Sequence, residues 1–315
     1  MKELALAVFA SETGTHLLRP PESAHWRRHL HGFDADAYER RLAGRGLRFT
    51  AGLPPRLRSI HDPPVGLFVR GDAPLELLER PSVAIVGARA CSGYGASVAR
   101  SLARELAAAG LVVVSGLARG VDGEAHRGAL DAGGTTVAVL GCGIDRDYPA
   151  AHAGLARRVA ETGLVVSEYA PGVEPAPWRF PARNRIVAGL CAAAIVVEAR
   201  ERSGALITAD LALEEGREVF AVPGEITSAL STGTNGLLKL GAAPLTCAAD
   251  VLSCFGIEPE EPAAVRDPLL DLLPATADEL VRRTGRPAAE IAAALVALEL
   301  DGRTAAHDGV YRRSS

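Results

Sequence analysis

Two arginines flank an asparagine in the segment FPARNRIVAG, residues 180–189, and they place fixed positive charge beside an apolar run. Arginine presents a planar fork of donors that suits phosphate and carboxylate groups, and it also stacks on aromatic rings and bases. Arg183 and Arg185 therefore indicate either an anion site or a solvated edge. The elements that position them distinguish the two.

Carboxylates and a histidine offer a second kind of chemistry. Glu168 and Glu198 lie near the ends of predicted strands, and the sequence supplies neither with an evident partner. Asp122 and His126 are one helical turn apart, as an acid/base pair would be, although a capping or loop hydrogen bond explains Asp122 more simply. Because these groups are few and scattered, we predict no catalytic residues.

Other common sites are disfavoured by spacing. The five cysteines form no CxxC or CxxH pair, which is typical of reduced core residues in a cytoplasmic protein without a metal site. His25 and His29 have the i, i+4 spacing of helical metal ligands, but a solvated helix face is the better interpretation. The sequence lacks GxGxxG, GxxxxGK[ST] and GxSxG spacings at its strand ends, so no cofactor is expected. No apolar run reaches the ~18 residues of a membrane span, and no membrane insertion is expected.

Strand and helix patterns alternate from residue 82 to about residue 256. The strands are nearly continuous apolar runs, such as SVAIVG and LVVVSG, which is typical of parallel strands covered on both faces. The pattern predicts a doubly wound α/β fold. The predicted organisation is a weakly patterned helical segment (1–66), the α/β domain (67–256), a Pro/Glu linker (257–266) and a small domain (267–315).

The small domain has the pattern of a winged helix, with three helices and a two-stranded tip. Thr276 and Pro287 stand where helices are expected to begin. Six arginines against eight acidic residues leave this domain with a formal charge of −2. Its third helix carries Glu290, Glu299 and alanines instead of the Arg, Asn or Gln that read base edges. The pattern therefore favours protein contacts, or none, over duplex binding.

Ligands of open parallel sheets bind outside the carboxyl ends of the strands. Here those ends are rich in glycine, hydroxyl groups and arginine, and they open helices whose N-termini favour anions. The chain as a whole has a formal charge of −4, so a polyanion would need a local basic patch of this kind. The residues predicted to form it are Gly87, Arg89, Ser92, Gly116, Arg119, Arg179, Arg183, Arg185, Ser203 and Gly204.

Six blocks between Leu67 and Cys254 resemble the DNA-processing protein A (DprA, or Smf) family. They are VAIVGAR…YG, VVSGLARGVDGEAH, VLGCGIDRDYP, SEY…FPARNRIVAGL, VVEARERSGALITADLALEEGREVFAVPG and STGTNGLLKLGA. The resemblance implies an extended Rossmann-like domain, a mostly parallel sheet and, at the C-terminus, a winged helix. It also implies sequence-independent binding of single-stranded DNA and loading of the RecA recombinase during natural transformation.

In that family the first-loop arginine and the FPxRNR segment line the strand-binding groove, which here implicates Arg89, Phe180, Arg183 and Arg185. The phenylalanine stacks on a base, and stacking with phosphate-pairing cations holds strands without reading sequence. Asn184 is expected to bond backbone and order the turn. The sequence departs from the family at two positions. Ala88 replaces a hydroxyl residue and Pro177 replaces a lysine, whose contact we expect Arg179 to take over, with Trp178 adding a stacking surface.

The segment NGLLKLGA suggests how two chains could pair. Members of the resembled family dimerise through this end of the domain, and Leu237, Leu238 and Leu240 are the expected interface, unless they fill the monomer's own core.

Two other functions stay open. A nucleotide phosphoribohydrolase has a similar sheet, but RSGALITADL places Leu211 where its catalytic glutamate is expected. A regulatory module would act mainly through the C-terminal domain.

Overall fold

A computed structural model gives the architecture of the chain, which divides into two compact units, residues 1–258 and residues 259–315. The described residues are 2–14, 20–258, 268–300, 303–307 and 309–313. Most of the predicted linker, residues 259–266, lies outside them. None of the described helices combines the length and the apolar character that crossing a lipid bilayer requires.

A single large sheet organises the first unit, and within the described residues it has nine strands. They are β1 (Leu47–Thr50), β2 (Leu67–Arg70), β3 (Ser82–Val86), β4 (Val112–Ser115), β5 (Thr136–Val139), β6 (Leu164–Ser167), β7 (Ala193–Val196), β8 (Glu218–Ala221) and β9 (Ala243–Pro244). Their spatial order is β1-β2-β6-β5-β4-β3-β7-β8-β9. The seven strands from β6 to β9 in this order run parallel, while β1 and β2 pair antiparallel at one edge. This confirms the predicted mostly parallel sheet.

The order of the strands reverses between β3 and β7, because the chain winds outward from β3 in one direction and later returns to β3's other side. Such a reversal separates the loops that follow the two strands and leaves a crevice at their carboxyl ends. The loops after β3 and β7 carry Arg89 and Ser203, two of the predicted site residues.

Helices cover both faces of the sheet, as a doubly wound fold requires. They are α1 (Lys2–Thr13), α2 (Ala24–Gly32), α3 (Ala35–Ala43), α4 (Pro55–Arg58), α5 (Gly93–Ala108), α6 (Val121–Asp131), α7 (Ala153–Thr162), α8 (Arg179–Leu190), α9 (Gly204–Glu214), α10 (Thr232–Lys239) and α11 (Ala248–Leu252).

Alternate residues of the central strands supply the two cores. Ala84 and Val86 of β3 pack with α8 and α9 on one face, while Val83 and Ile85 pack with α5 and α6 on the other. Both sets are buried, which explains why the strands appear in the sequence as continuous apolar runs.

The N-terminal segment is an integral part of this unit. Helix α1 buries Leu4 and Val8 in a core with α7 and the sheet edge, and its Phe9 packs edge-on against Trp26 of α2. Helices α2 and α3 agree with the helical character that the sequence predicts for this segment. His29 lies within this aromatic cluster and its Nε2 contacts the Ala5 carbonyl at 3.1 Å, so it is not on a solvated face. Among the described residues no group of His, Cys, Asp or Glu is arranged to hold a metal ion.

The second unit contains a short helix pair and a small sheet. Its elements are β10 (Ala275–Thr276), α12 (Ala277–Thr284), α13 (Ala288–Leu300), β11 (Thr304–His307) and β12 (Val310–Arg313). Thr276 caps α12 in a reciprocal pair with Glu279, and Pro287 precedes α13, as expected. The first predicted helix is a single 3-10 turn, Leu270–Leu272, and the two-stranded tip gains β10 as a third strand.

Candidate nucleic-acid interface

The segment that contains Arg183 and Arg185 forms helix α8, and the helical geometry sets the direction in which each of its side chains points. Pro181 is tolerated because the first turn of a helix needs no backbone N–H partner at that position. Residues three and four apart share a helix face. Phe180, Arg183 and Asn184 therefore point to one side, whereas Trp178 and Arg185 point to the other.

The first face opens on a cavity of about 330 Å³ at the crevice between β3 and β7. We call it the α9 cavity, because the N-terminus of α9 closes one side with Ser203 and Gly204. Asn184 spans the cavity wall, since its amide donates to the Gly204 carbonyl at 3.2 Å. This is the predicted backbone bond. The lining residues are Val86, Gly87, Arg89, Ala118, Asp122, Phe180, Pro181, Arg183, Asn184, Ser203, Gly204, Ala205 and Thr208.

A second cavity of about 440 Å³ shares Arg89, Phe180 and Arg183 with the first. We call it the Tyr148 cavity, and the two together the groove. Tyr148 stacks on Phe180 with ring centroids 5.3 Å apart and planes inclined by 23°. The Arg89 guanidinium lies over the same phenyl ring, 5.1 Å from its centroid. The other lining residues are Gly116, Ala118, Arg119, Gly141, Cys142, Asp147, Pro149 and Ala150.

Arg89 and Arg119 are the cations available to a ligand in the groove. Both side chains are exposed, and neither forms an ion pair within the described part of the chain. Arginines nearby are engaged in ion pairs: Arg70 with Asp147 at 2.6 Å and Arg45 with Asp145 at 2.8 Å. Arg89 and Arg119 can therefore meet a phosphate without first giving up a carboxylate.

Arg183 is a buried cation held by carbonyls. Its Nη1 donates to Gly116 O at 2.7 Å and also to the Val139 carbonyl. A side chain on Gly116 would overlap this guanidinium, which explains the glycine there. Burial lowers the pKa of Arg183, and the nearby Asp122 carboxylate opposes that shift. Arginine nonetheless keeps its charge in proteins, so Arg183 adds a fixed positive charge to the floor of the groove.

Asp122 and His126 are not paired with each other. Asp122 accepts hydrogen bonds from the backbone N–H groups of Gly116 and Ala118, which confirms the simpler interpretation of that residue as a loop acceptor. His126 is fully buried and its Nδ1 contacts Thr136 Oγ1 at 2.7 Å. Burial, with the charges of His152 and Arg183, lowers the pKa of His126 to about 3. The imidazole is thus neutral at ordinary pH and serves the core.

Glu198 fixes the loop that carries Arg89. Its backbone carbonyl accepts from Ala88 N at 2.7 Å, and its carboxylate accepts from Ser92 N at 2.8 Å and Ser92 Oγ at 2.5 Å. Ser92 in turn caps α5 through Gly95 N. One residue therefore holds both ends of the Arg89 loop. The sequence predicts that Ser92 contacts the bound anion. In the structure it instead hydrogen-bonds Glu198 and Gly95, and it does not line either cavity.

Arg185 lies on the opposite face of α8, in a buried ion pair. Its guanidinium grips Glu168 with two hydrogen bonds of 2.9 and 2.7 Å, and its Nε donates to Asp62 at 2.8 Å. Burial alone would lower the pKa of Arg185, but the two carboxylates outweigh it and raise that pKa. The structure therefore corrects two expectations, because Arg185 does not line the groove and Glu168 does have a partner.

Trp178 and Arg179 line a separate cavity of about 250 Å³ beside α1, together with Arg185. Arg179 lies over the rings of Trp178 and Tyr169, 4.7 and 5.2 Å from their centroids. Trp178 remains 51% exposed. The aromatic and the cation expected to extend the groove are thus together, but on the far side of α8 from Phe180.

The predicted pairing helix, α10, presents its leucines differently. Leu237 is buried in the core below β8, and Leu238 packs partly against the same core. Leu240, at the end of the helix, is 86% exposed. Only this third leucine is fully available to another molecule.

Two family models cover most of the chain. The model described as DNA recombination-mediator protein A matches residues 48–256, and the model described as the DprA winged helix domain matches residues 258–310. The DNA processing protein DprA of Streptococcus pneumoniae is 50% identical over 199 residues, which is 63% of this chain and 70% of that protein.

Two solved structures are similar to most of this chain. The X-ray structure of DprA from Streptococcus pneumoniae has a TM-score of 0.68 at 39% identity, and the match covers 80% of this chain and 92% of that one. The structure of DNA processing protein A from Helicobacter pylori, which describes a single-stranded DNA binding mode of that protein, has a TM-score of 0.61 at 33% identity. That match covers 66% of this chain and 95% of the other.

Proposed function

The chain belongs to the DNA recombination-mediator protein A family, and we propose that it binds single-stranded DNA without sequence preference in the groove. The observation that carries the proposal is a pair of exposed arginines, Arg89 and Arg119, beside the aromatic rings of Phe180 and Tyr148. Neither arginine forms an ion pair with any residue that the structure describes. Cations that track phosphates and aromatics that accept bases are the two parts of non-specific strand binding.

Electrostatics should dominate this binding although the chain has a net negative charge. Each phosphate contact to a single strand contributes about −0.7 to the slope of log K against log salt. Two or three contacts, from Arg89, Arg119 and Arg183, predict a slope of about −1.5 to −2. Fluorescence anisotropy of labelled oligothymidine, titrated over a range of salt concentrations, measures it, with duplex of equal length as the control. Equal affinity for both forms at every salt concentration would contradict the proposal.

The groove favours binding over catalysis. The two carboxylates that line the groove are bound within the chain: Asp122 accepts from backbone N–H groups and Asp147 pairs with Arg70. Glu168 and Glu198, the other candidates, are bound to Arg185 and to Ser92. A general acid or base must reach the substrate. We therefore propose that the protein is not an enzyme. Release of a free base from a nucleotide by the purified protein would instead support the phosphoribohydrolase.

By family membership we propose that the protein protects incoming strands and loads the RecA recombinase onto them during natural transformation. A test is the rate of RecA assembly on an oligothymidine already covered by a single-strand-binding protein. No acceleration by this protein, at a concentration that saturates the strand, would reject the loading role while leaving strand binding intact.

We also propose a homodimer through the exposed end of α10. Leu240→Arg should give a folded monomer that binds long strands more weakly, because a dimer places two grooves on one strand at high effective concentration. Light scattering at tens of micromolar protein checks it, and Val296→Arg, an exposed valine of the other unit, is the matched control. A monomeric wild type would end this proposal. Leu237→Arg is unsuitable, because Leu237 belongs to the core.

A further inference from the structure

Phe180 is largely covered before any ligand arrives. Tyr148 stacks on its ring at 5.3 Å, and the Arg89 guanidinium lies 5.1 Å from the same centroid. A base can stack on Phe180 only in the surface these two leave open. Tyr148 itself is 42% exposed, and among the described residues Phe180 is its one stacked neighbour. The open aromatic surface of this part of the groove thus includes Tyr148.

The loop that carries Tyr148 is anchored by two ion pairs on the N-terminal side of that residue. Asp147, its neighbour, forms an ion pair with Arg70 at 2.6 Å. Asp145 accepts from Gly172 N at 2.8 Å and pairs with Arg45 at 2.8 Å. A ring held in place in this way loses little conformational entropy when a ligand stacks on it.

The charge beside the ring matches a nucleotide. Arg119 lines the same cavity, is exposed and forms no ion pair within the described residues. Arg89 lies at the boundary with the α9 cavity. When an aromatic ring and a guanidinium line the same cavity, the base of a nucleotide can stack on the ring while its phosphate pairs with the guanidinium.

We propose that Tyr148 is a second base-stacking residue, and that the Tyr148 cavity holds one nucleotide of the strand with its base on Tyr148 and its phosphate at Arg119. The inference rests on the proposed strand binding and adds a subsite to it. The stack then runs from Phe180 through Tyr148 to the base.

Anisotropy titrations of an oligothymidine of about 15 nucleotides test the subsite. Tyr148→Ala should weaken binding about tenfold, because removal of one base-stacking aromatic typically costs between about 5-fold and 100-fold. Tyr148→Phe should stay within about twofold, since the ring is kept. The slope of log K against log salt should not change in Tyr148→Ala, because no phosphate contact is lost. Tyr94→Ala removes a tyrosine of similar exposure outside both cavities and should have no effect.

An abasic strand of equal length separates stacking from mere support of Phe180 or the loop. Wild type and Tyr148→Ala should bind it equally if Tyr148 acts on the base. The same loss on abasic and normal strands would overturn the proposal, as would unchanged binding of oligothymidine by Tyr148→Ala. If the wild type itself fails to bind oligothymidine, the proposed function fails with it.

Discussion

Arg185→Met should lower the melting temperature of the protein by roughly 10 °C and leave strand affinity nearly unchanged. The reason is the buried ion pair with Glu168, whose side chain is only 11% exposed. Removing one member of a buried pair leaves an uncompensated charge, which typically costs about 3–5 kcal/mol of unfolding free energy. In a unit of this size, each kcal/mol shifts the melting temperature by about 2–4 °C.

The double variant Arg185→Met/Glu168→Met is the matched control. Replacing a whole buried pair with apolar residues of similar volume is often neutral, so most of the lost stability should return. Asp62, the other partner, is 34% exposed and can be hydrated. Calorimetry gives the stability, and anisotropy well below the melting temperature gives the affinity. Lost strand binding with an unchanged melting temperature would show that Arg185 contacts the strand after all.

The sheet was predictable because its strands are buried on both faces and therefore appear as uninterrupted apolar runs. SVAIVG and LVVVSG each ended in glycine before a helical pattern, and they became β3 and β4. The antiparallel edge was not predictable in the same way. Strand β1, LRFT, is only four residues long. One of them, Arg48, is charged and one, Leu47, is buried, so the strand is defined by its pairing with β2. Tertiary pairing decides such short strands.

The site was predictable in position but only partly in membership. The carboxyl ends of the strands did bring Gly87, Arg89, Gly116 and Arg119 together. The sequence predicts one binding stretch over residues 178–185, but as a helix this segment has two faces. A spacing of two residues puts side chains on nearly opposite sides of a helix, so Arg183 and Arg185 cannot both reach one groove.

The residues hardest to predict from the sequence are those that position another residue through a contact between elements far apart in the chain. Glu198 accepts a hydrogen bond from Ser92, which lies 106 positions earlier in the chain. Glu168, which follows β6, accepts a hydrogen bond from Arg185 of α8. Nothing in the spacing of the sequence predicts such partners. Tyr148 did leave a signal, because it follows β5 in the strand-end loop GCGIDRDYP. The rule that selected Arg89 and Arg119 applies equally to it.

Arg89→Ala/Arg119→Ala should weaken single-strand binding by about 100-fold without a change in stability. Each arginine is exposed and has no carboxylate partner within the described residues, so the folded chain loses little when it is removed. Each charge-assisted contact to phosphate is worth about 1.5–3 kcal/mol, which is about tenfold or more in affinity. The slope of log K against log salt should also become shallower by about 1.4, since two phosphate contacts disappear.

Arg40→Ala/Arg104→Ala makes the same change of net charge at two exposed arginines that line neither cavity. Arg104 lies eleven residues beyond the first residue of α5, or about 16 Å along the helix axis from that end. If the charge of the whole chain governed binding, the two double variants would lose affinity equally. The groove predicts a large loss for the first pair and almost none for the second. Anisotropy at low and moderate salt measures the strand affinity of both double variants. Equal losses of affinity would show that the strand does not bind in the groove beside Phe180 and Tyr148.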